Sequence, residues 1–107
     1  MRFATQKYFE SDWARLKPEH RRHFKAVVRE KFIPACDAWA QAQESGKPYT
    51  WPKSLRVAPL VNGGGILEMT WSFASPDGRA TFHFAREEGH WVCHWRRIGD
   101  HGVFRSP

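Results

Sequence analysis

The sequence predicts an α+β fold in which two N-terminal helices pack on one face of a four-stranded antiparallel sheet. Two observations support this prediction: apolar residues recur with a helical period in the first half of the chain, and the period changes to two in the second half. Glycine-bearing turns between the strands add a third observation, because short turns join antiparallel neighbours. A chain of 107 residues fits one domain, spanning positions 1–107.

The helical half contains a short helix and a long one. The short helix is expected over residues 11–16, and the long one begins at Pro18, since proline is favoured at the first helical position. Ser45-Gly46 is a plausible end, with glycine in the left-handed conformation. Pro34 lies inside this span and is expected to kink or split the helix, because proline lacks the N–H donor. The apolar stripe that should face the sheet consists of Phe24, Val27, Val28, Phe32, Ala35, Trp39 and Ala42.

The strand half begins after a proline-containing connector. Alternation of apolar and polar residues predicts strands at 55–58, 67–73, 81–84 and 91–98. The turn signals between them are Asn62–Gly65, Ser75–Gly78 and Glu87–Gly89. The last three strands should therefore form an antiparallel meander.

The face of the sheet that the helices leave open is predicted to be cationic. If apolar residues such as Met69 and Phe82 point to the helices, the opposite face carries Arg56, Glu68, Thr70, Arg79, Thr81 and His83. The last strand is ambiguous, because Arg97 shares one face with Trp95 whereas Arg96 and His94 share the other. Either orientation places one arginine on the open face, which is a credible phosphate-binding surface.

Composition restricts the partner and the compartment. The net charge of +6 and pI of about 9.8 favour an anionic partner, although a basic protein without such a partner is the open alternative. Cys36 and Cys93 form no motif and are expected to be buried thiols. No apolar run has the length of a membrane span, and residues 1–10 lack the apolar stretch of a signal peptide. The chain is therefore expected to be cytoplasmic and to have no membrane partner.

A metal site is not expected. Cys93 and His94 are adjacent, so they point to opposite faces of a strand, and no pair of ligands has the spacing of a closed zinc site. Neither a metal nor another cofactor is predicted.

Four short segments resemble motifs of the RelE/HigB family of toxin ribonucleases. They are residues 55–60 (LRVAPL), 66–71 (ILEMTW), 77–82 (DGRATF) and 98–104 (IGDHGVF). Their order and spacing match the family over roughly Asp12 to Phe104. The resemblance implies a RelE-like domain that acts as the toxin of a type II toxin–antitoxin system. Such a protein cleaves mRNA on the ribosome and is restrained by a cognate antitoxin, whereas the related ParE branch inhibits DNA gyrase.

The resemblance also implies catalytic roles. Metal-free RNA cleavage by the neighbouring 2′-hydroxyl needs a base, cations at the phosphate and an acid. Arg79 would stabilise the phosphate and His101 would serve as base or acid, with Arg97 preferred over Arg96 as the third catalytic residue. The expected RNA-binding residues are Arg56, Arg96, His83, His94 and Phe104.

Each of these assignments has a structural alternative. Arg79 pairs with Glu68 or another acid, His101 caps a turn, and Arg56 is an ordinary solvated charge. Phe104 stands where many family members have tyrosine, and phenylalanine stacks on a base but has no hydroxyl. This departure leaves a non-catalytic module that binds nucleic acid or protein as the alternative function.

Overall fold

The computed structural model describes residues 1–60, 63–71 and 78–99 of the 107-residue chain. Within these residues, helices pack on one face of a mixed sheet, which confirms the α+β class. None of the helices in the described part of the chain combines the length and the hydrophobicity needed to cross a bilayer.

The first helix, α1 (Lys7–Arg15), begins earlier than predicted. The long helix runs through α2 (Pro18–Val27), a π-helical turn (Val28–Phe32) and α3 (Ile33–Ser45). The irregularity expected at Pro34 lies in the turn just before it, where the N–H of Ile33 donates to the carbonyl of Val28, five residues back. Proline removes one donor and crowds the preceding turn, which favours a wider turn at that point. Gly46 ends α3 in the left-handed conformation, as predicted.

Five strands form one sheet within the described residues, in the spatial order β1-β5-β4-β3-β2. Their bounds are β1 (Arg2–Thr5), β2 (Ala58–Pro59), β3 (Leu67–Trp71), β4 (Gly78–Glu87) and β5 (His90–Gly99). The strands β2 to β5 pair antiparallel, which confirms the predicted meander. Glu88 and Gly89 join β4 to β5 with φ values of 52° and 78°, and the tight hairpin turn requires positive φ at both positions.

Two predictions about the sheet were wrong. A fifth strand, β1, pairs parallel to β5 with Phe3 opposite Cys93, so the sheet is mixed rather than four-stranded and antiparallel. The strand expected at 55–58 is reduced to Ala58–Pro59, because a 3-10 turn (Lys53–Leu55) precedes it and Arg56 adopts a left-handed φ of 46°. Arg56 therefore does not lie on a strand. Of the predicted turns Asn62–Gly65 and Ser75–Gly78, positions 62 and 75–77 lie outside the described residues.

Aromatic rings fill the space between the helices and the sheet. Phe32 meets Trp95 at 4.8 Å and Phe82 at 5.0 Å between ring centroids, and Trp39 stacks on Phe84 at 3.9 Å. These contacts confirm that the apolar strand residues point to the helices, as the alternation predicted. The opposite face of β3, β4 and β5 carries mainly polar side chains together with Ala85 and Val92, and part of this face is buried.

Candidate nucleic-acid interface

A β-bulge in β5 determines where its two arginines lie. Thr81 is opposite Arg97 whereas Phe82 is opposite Trp95, so Arg96 is the extra residue in the register. Trp95 packs in the core on the helix side. Because the bulge interrupts the alternation, Arg96 and Arg97 both emerge on the side of Thr81, and the guanidinium of Arg97 reaches from there to α1. The sequence predicted that one of these two arginines would lie on the open face, whereas the bulge directs both of them to that side.

Two histidines lie side by side on this open face. His83 and His94 are directly opposite each other in the β4–β5 hairpin, and their rings stack with centroids 4.8 Å apart and planes 10° apart. Glu87 Oε2 lies 2.5 Å from His94 Nε2, and Arg96 Nη1 lies 3.1 Å from His83 Nδ1. The four side chains Glu87, His94, His83 and Arg96 are called the histidine row below.

The hydrogen bonds fix the tautomers of the histidine row. A guanidinium has only donors, so Arg96 donates to Nδ1 of His83 and the proton of that neutral ring is on Nε2. A carboxylate accepts, so Nε2 of His94 donates to Glu87. When His94 is neutral, its Nδ1 is therefore the nitrogen that accepts a proton.

The surroundings keep His83 uncharged at neutral pH. Burial has the largest effect and lowers the pKa of His83, the charges of Arg96 and His94 lower it further, and Glu87 raises it. The net result is a pKa below the ordinary value of about 6.5. His83 can therefore donate a hydrogen bond through Nε2 without adding a charge to the surface.

Arg79 lies on the same face but is paired with an acid. Its Nη1 donates to Glu68 Oε1 at 2.8 Å and to Thr70 Oγ1 at 3.1 Å. The Glu68 side chain is only 8% exposed and that of Arg79 20%, so this is a largely buried ion pair. The predicted alternative, in which Arg79 pairs with Glu68, is therefore present in the structure, and the pairing holds the guanidinium on the open face.

Arg97 is held by the first helix rather than by the histidine row. Its Nε and Nη2 donate to the two oxygens of Asp12 at 2.6 and 3.1 Å, and its guanidinium lies 5.8 Å from the ring centroid of Tyr8. The hydrogen bond to Asp12 is the main cause that raises the pKa of Arg97, and burial opposes it. Arg96 is thus the arginine in contact with His83, whereas the sequence favoured Arg97.

Of the remaining predicted site residues, the structure describes only Arg56, and it does not bring that residue to this place. Arg56 is exposed beside β2, at the edge of the sheet far from β5. His101 and Phe104 lie outside the described residues. Among the described residues, no three His, Cys, Asp or Glu side chains are grouped so that they can hold a metal ion.

Sequence reasoning assigned Glu87 only to a turn and did not pair the two histidines. The signal was present, because His83 and His94 are equally distant from the two-residue turn at Glu88-Gly89. A two-residue hairpin turn makes such residues direct neighbours across the strands.

The chain matches no protein-family model, no curated protein and no solved structure. A functional assignment therefore depends on the chemistry of the described residues.

Proposed function

We propose that this chain is an endoribonuclease that binds RNA on the open face of the sheet and cleaves it without a metal. The observation that supports this proposal is the histidine row, in which an imidazole hydrogen-bonded to a carboxylate lies beside a neutral imidazole and an arginine. In keeping with the RelE/HigB resemblance, we propose that it is the toxin of a type II toxin–antitoxin system. It would act in the cytoplasm on mRNA bound to the ribosome, restrained by a cognate antitoxin.

His94 is the proposed general base. Glu87 accepts the hydrogen bond from Nε2 of His94, which orients the ring, as a carboxylate does for the histidine of a catalytic triad. Nδ1 then takes the proton of the 2′-hydroxyl, and the 2′-oxygen forms a bond to the adjacent phosphorus. The bond from phosphorus to the 5′-oxygen breaks, giving a 2′,3′-cyclic phosphate and a 5′-hydroxyl.

Arg96, Arg79 and His83 are proposed to bind the reacting phosphate. The phosphorane gains negative charge during the reaction, and fixed N–H donors stabilise such charge without reorganising. The ion pair with Glu68 and the hydrogen bond to Thr70 hold Arg79 in place. The leaving 5′-oxygen needs a proton, and we propose His101, which the family resemblance implies as base or acid, for this role.

The second candidate is a binding module with the same surface but no cleavage activity. Phe104, which lacks the hydroxyl of the family's tyrosine, favours it. So do the carboxylate partners of Arg79 and Arg97, because an arginine already paired with an acid is partly neutralised towards RNA.

The test is cleavage of a translated mRNA in a purified translation system containing EDTA-treated protein, with mapping of the product ends. We expect fragments ending in 2′,3′-cyclic phosphate. His94→Ala should slow their appearance by at least about a hundredfold. His90→Ala is the matched control, since His90 is an exposed histidine of the same strand, and it should cleave at the unaltered rate.

Each other outcome selects a different function. Salt-sensitive RNA binding with intact mRNA selects the binding module. A DNA damage response on expression, with intact mRNA, selects a ParE-like gyrase inhibitor. Equal cleavage by the His94→Ala and His90→Ala variants removes the histidine row from the mechanism.

A further inference from the structure

A cavity of about 730 Å³ opens on the helix side of the sheet, between β1, α1 and the α2–π-turn segment. Its inner wall consists of Phe9, Phe24 and Trp95, which are 5%, 4% and 5% exposed. The rings support one another, with Trp95 at 5.9 Å from Phe9 and 5.2 Å from Phe24. Trp13 forms a side wall at 5.8 Å from Phe24. The inner wall of the cavity is therefore aromatic, and its rings are fixed by their packing in the core.

The rim of this cavity is cationic. Lys25 and Arg29 line it from positions one helical turn apart, and both are exposed. Lys25 Nζ lies 5.7 Å from the ring centroid of Trp13, so the ammonium sits at the border between the apolar wall and solvent. Glu10 also lines the rim, where it accepts a hydrogen bond from Thr5 Oγ1 at 3.2 Å. The lining of the cavity therefore includes two positive charges and one negative charge.

We propose that this cavity binds a small amphipathic monocarboxylate, with its apolar body against Trp13 and Trp95 and its carboxylate at Lys25 and Arg29. The volume lies within the usual range for small-molecule sites, and an apolar interior with few polar groups at the edge is their usual composition. Burial of the apolar body supplies the binding energy, and the two cations supply the charge preference.

The charges at the rim disfavour the other classes of ligand. An aromatic cavity can also hold an organic cation, but here the Lys25 ammonium already lies over Trp13 and would repel a second positive charge. A neutral apolar ligand gains nothing from Lys25 and Arg29. The ion pair of Arg29 with Glu30, 3.5 Å long and exposed, is too weak to withdraw Arg29 from a ligand carboxylate.

This site is independent of the proposed ribonuclease activity, because the cavity and the histidine row lie on opposite sides of the sheet. The probe is decanoate, titrated below the concentration at which it forms micelles. Calorimetry gives the affinity, and the indole N–H signals of Trp13 and Trp95 report the location in NMR spectra. Decan-1-ol and decyltrimethylammonium have the same chain length with neutral and positive heads.

We expect saturable decanoate binding that shifts the Trp13 and Trp95 signals and exceeds decan-1-ol binding by about tenfold or more. The double variant Lys25→Gln, Arg29→Gln should lose about tenfold in affinity for decanoate and keep its affinity for decan-1-ol. Arg22→Gln, Lys31→Gln is the matched control, with two exposed cations outside the cavity lining, and should bind decanoate as the unaltered chain does.

The proposal is overturned by the absence of saturable decanoate binding, by equal affinity for the acid and the alcohol, or by tighter binding of the cationic probe. Both pairs of substitutions are at exposed positions, and an unchanged circular dichroism spectrum shows that each variant is folded. Loss of affinity in the control variant as well would also contradict a specific carboxylate site, because a general charge effect would explain it.

Discussion

The guanidinium of Arg97 donates two hydrogen bonds to the carboxylate of Asp12, which lies 85 positions earlier in the chain. The same carboxylate accepts the backbone N–H of Ile98 at 3.1 Å. β1 ends at Thr5, opposite Trp95, so it leaves the next part of β5 without a strand on that side. The Asp12 carboxylate accepts one N–H group that a neighbouring strand would otherwise bind, and it links α1 to β5.

Removing this carboxylate should destabilise the fold. Asp12→Ala leaves the Ile98 N–H and the Arg97 guanidinium without this acceptor in a buried setting, which costs about 3 kcal/mol. Urea unfolding followed by circular dichroism measures the loss. Arg15→Gln is the control, since Arg15 reaches the same carboxylate from a side chain that is 74% exposed, and it should cost less than about 0.5 kcal/mol. Equal stabilities of the two variants would contradict the role of Asp12.

The same carboxylate should make stability depend on acid pH. Burial is the largest effect and raises the pKa of Asp12, but the hydrogen bonds from Arg97, Ile98 and Arg15 and the charge of Arg97 together lower it below its ordinary value. A carboxylate that is more acidic when folded stabilises the fold fully above its unfolded pKa of about 3.9, and this stability is lost as the pH falls towards the folded value. The urea midpoint should therefore fall between about pH 5 and pH 2, and less steeply in Asp12→Asn. Parallel curves for the two proteins would refute this.

Arg96 should control the charge of His83. Burial is the main cause that lowers the pKa of His83, and the charge of the Arg96 guanidinium is the next. Arg96→Gln should therefore raise that pKa part of the way to about 6.5. The imidazole signals of His83 in NMR spectra recorded across pH measure this directly. Arg86→Gln removes a cation that pairs with Glu44 instead and should leave the His83 titration in place. An unchanged His83 pKa in Arg96→Gln would mean that the contact has no electrostatic effect.

Glu87 should affect cleavage rather than RNA affinity if the proposed function holds. Glu87→Gln keeps the size of the side chain but removes the carboxylate that orients the His94 ring, so the rate of cleavage should fall by roughly tenfold or more. The affinity for a non-cleavable 2′-deoxy substrate, measured by fluorescence anisotropy, should stay the same. Glu88→Gln, in the neighbouring turn, is the control. A loss of affinity as large as the loss of rate would assign Glu87 to binding.

The sequence allowed the meander to be predicted because its determinants are local. Alternation placed Met69 and Phe82 towards the helices, and the turn chemistry of Gly89 joined β4 to β5. The strand β1 was missed because Arg2–Thr5 is short and its partner, β5, lies at the other end of the chain. Only long-range pairing makes those residues a strand.

The site was predicted less completely for a similar reason. Alternation was sufficient to place Arg79 and His83 on the open face, but it left the orientation of the last strand, with His94 and Arg96, undecided. The bulge at Arg96 was not predictable from alternation, since one extra residue reverses the face of everything after it. Arg97 was preferred over Arg96, but Arg97 pairs with Asp12. That pairing was not predicted, because the position of Asp12 depends on how α1 packs on β5.

The two cysteines should resist modification as long as the protein is folded. Cys36 and Cys93 are both 0% exposed, and burial raises the pKa of the Cys93 thiol, with the neighbouring Cys36 thiol as the next cause. Because the thiolate is the reactive form, native protein should not react with an aromatic disulfide reagent on the time scale of minutes, whereas protein in urea should give the colour of both thiols. Reaction should begin at the urea concentration where circular dichroism shows unfolding, and earlier in Asp12→Ala, because that variant unfolds more readily. Rapid labelling of the native protein at either cysteine would show that the contact between α3 and β5 opens without global unfolding.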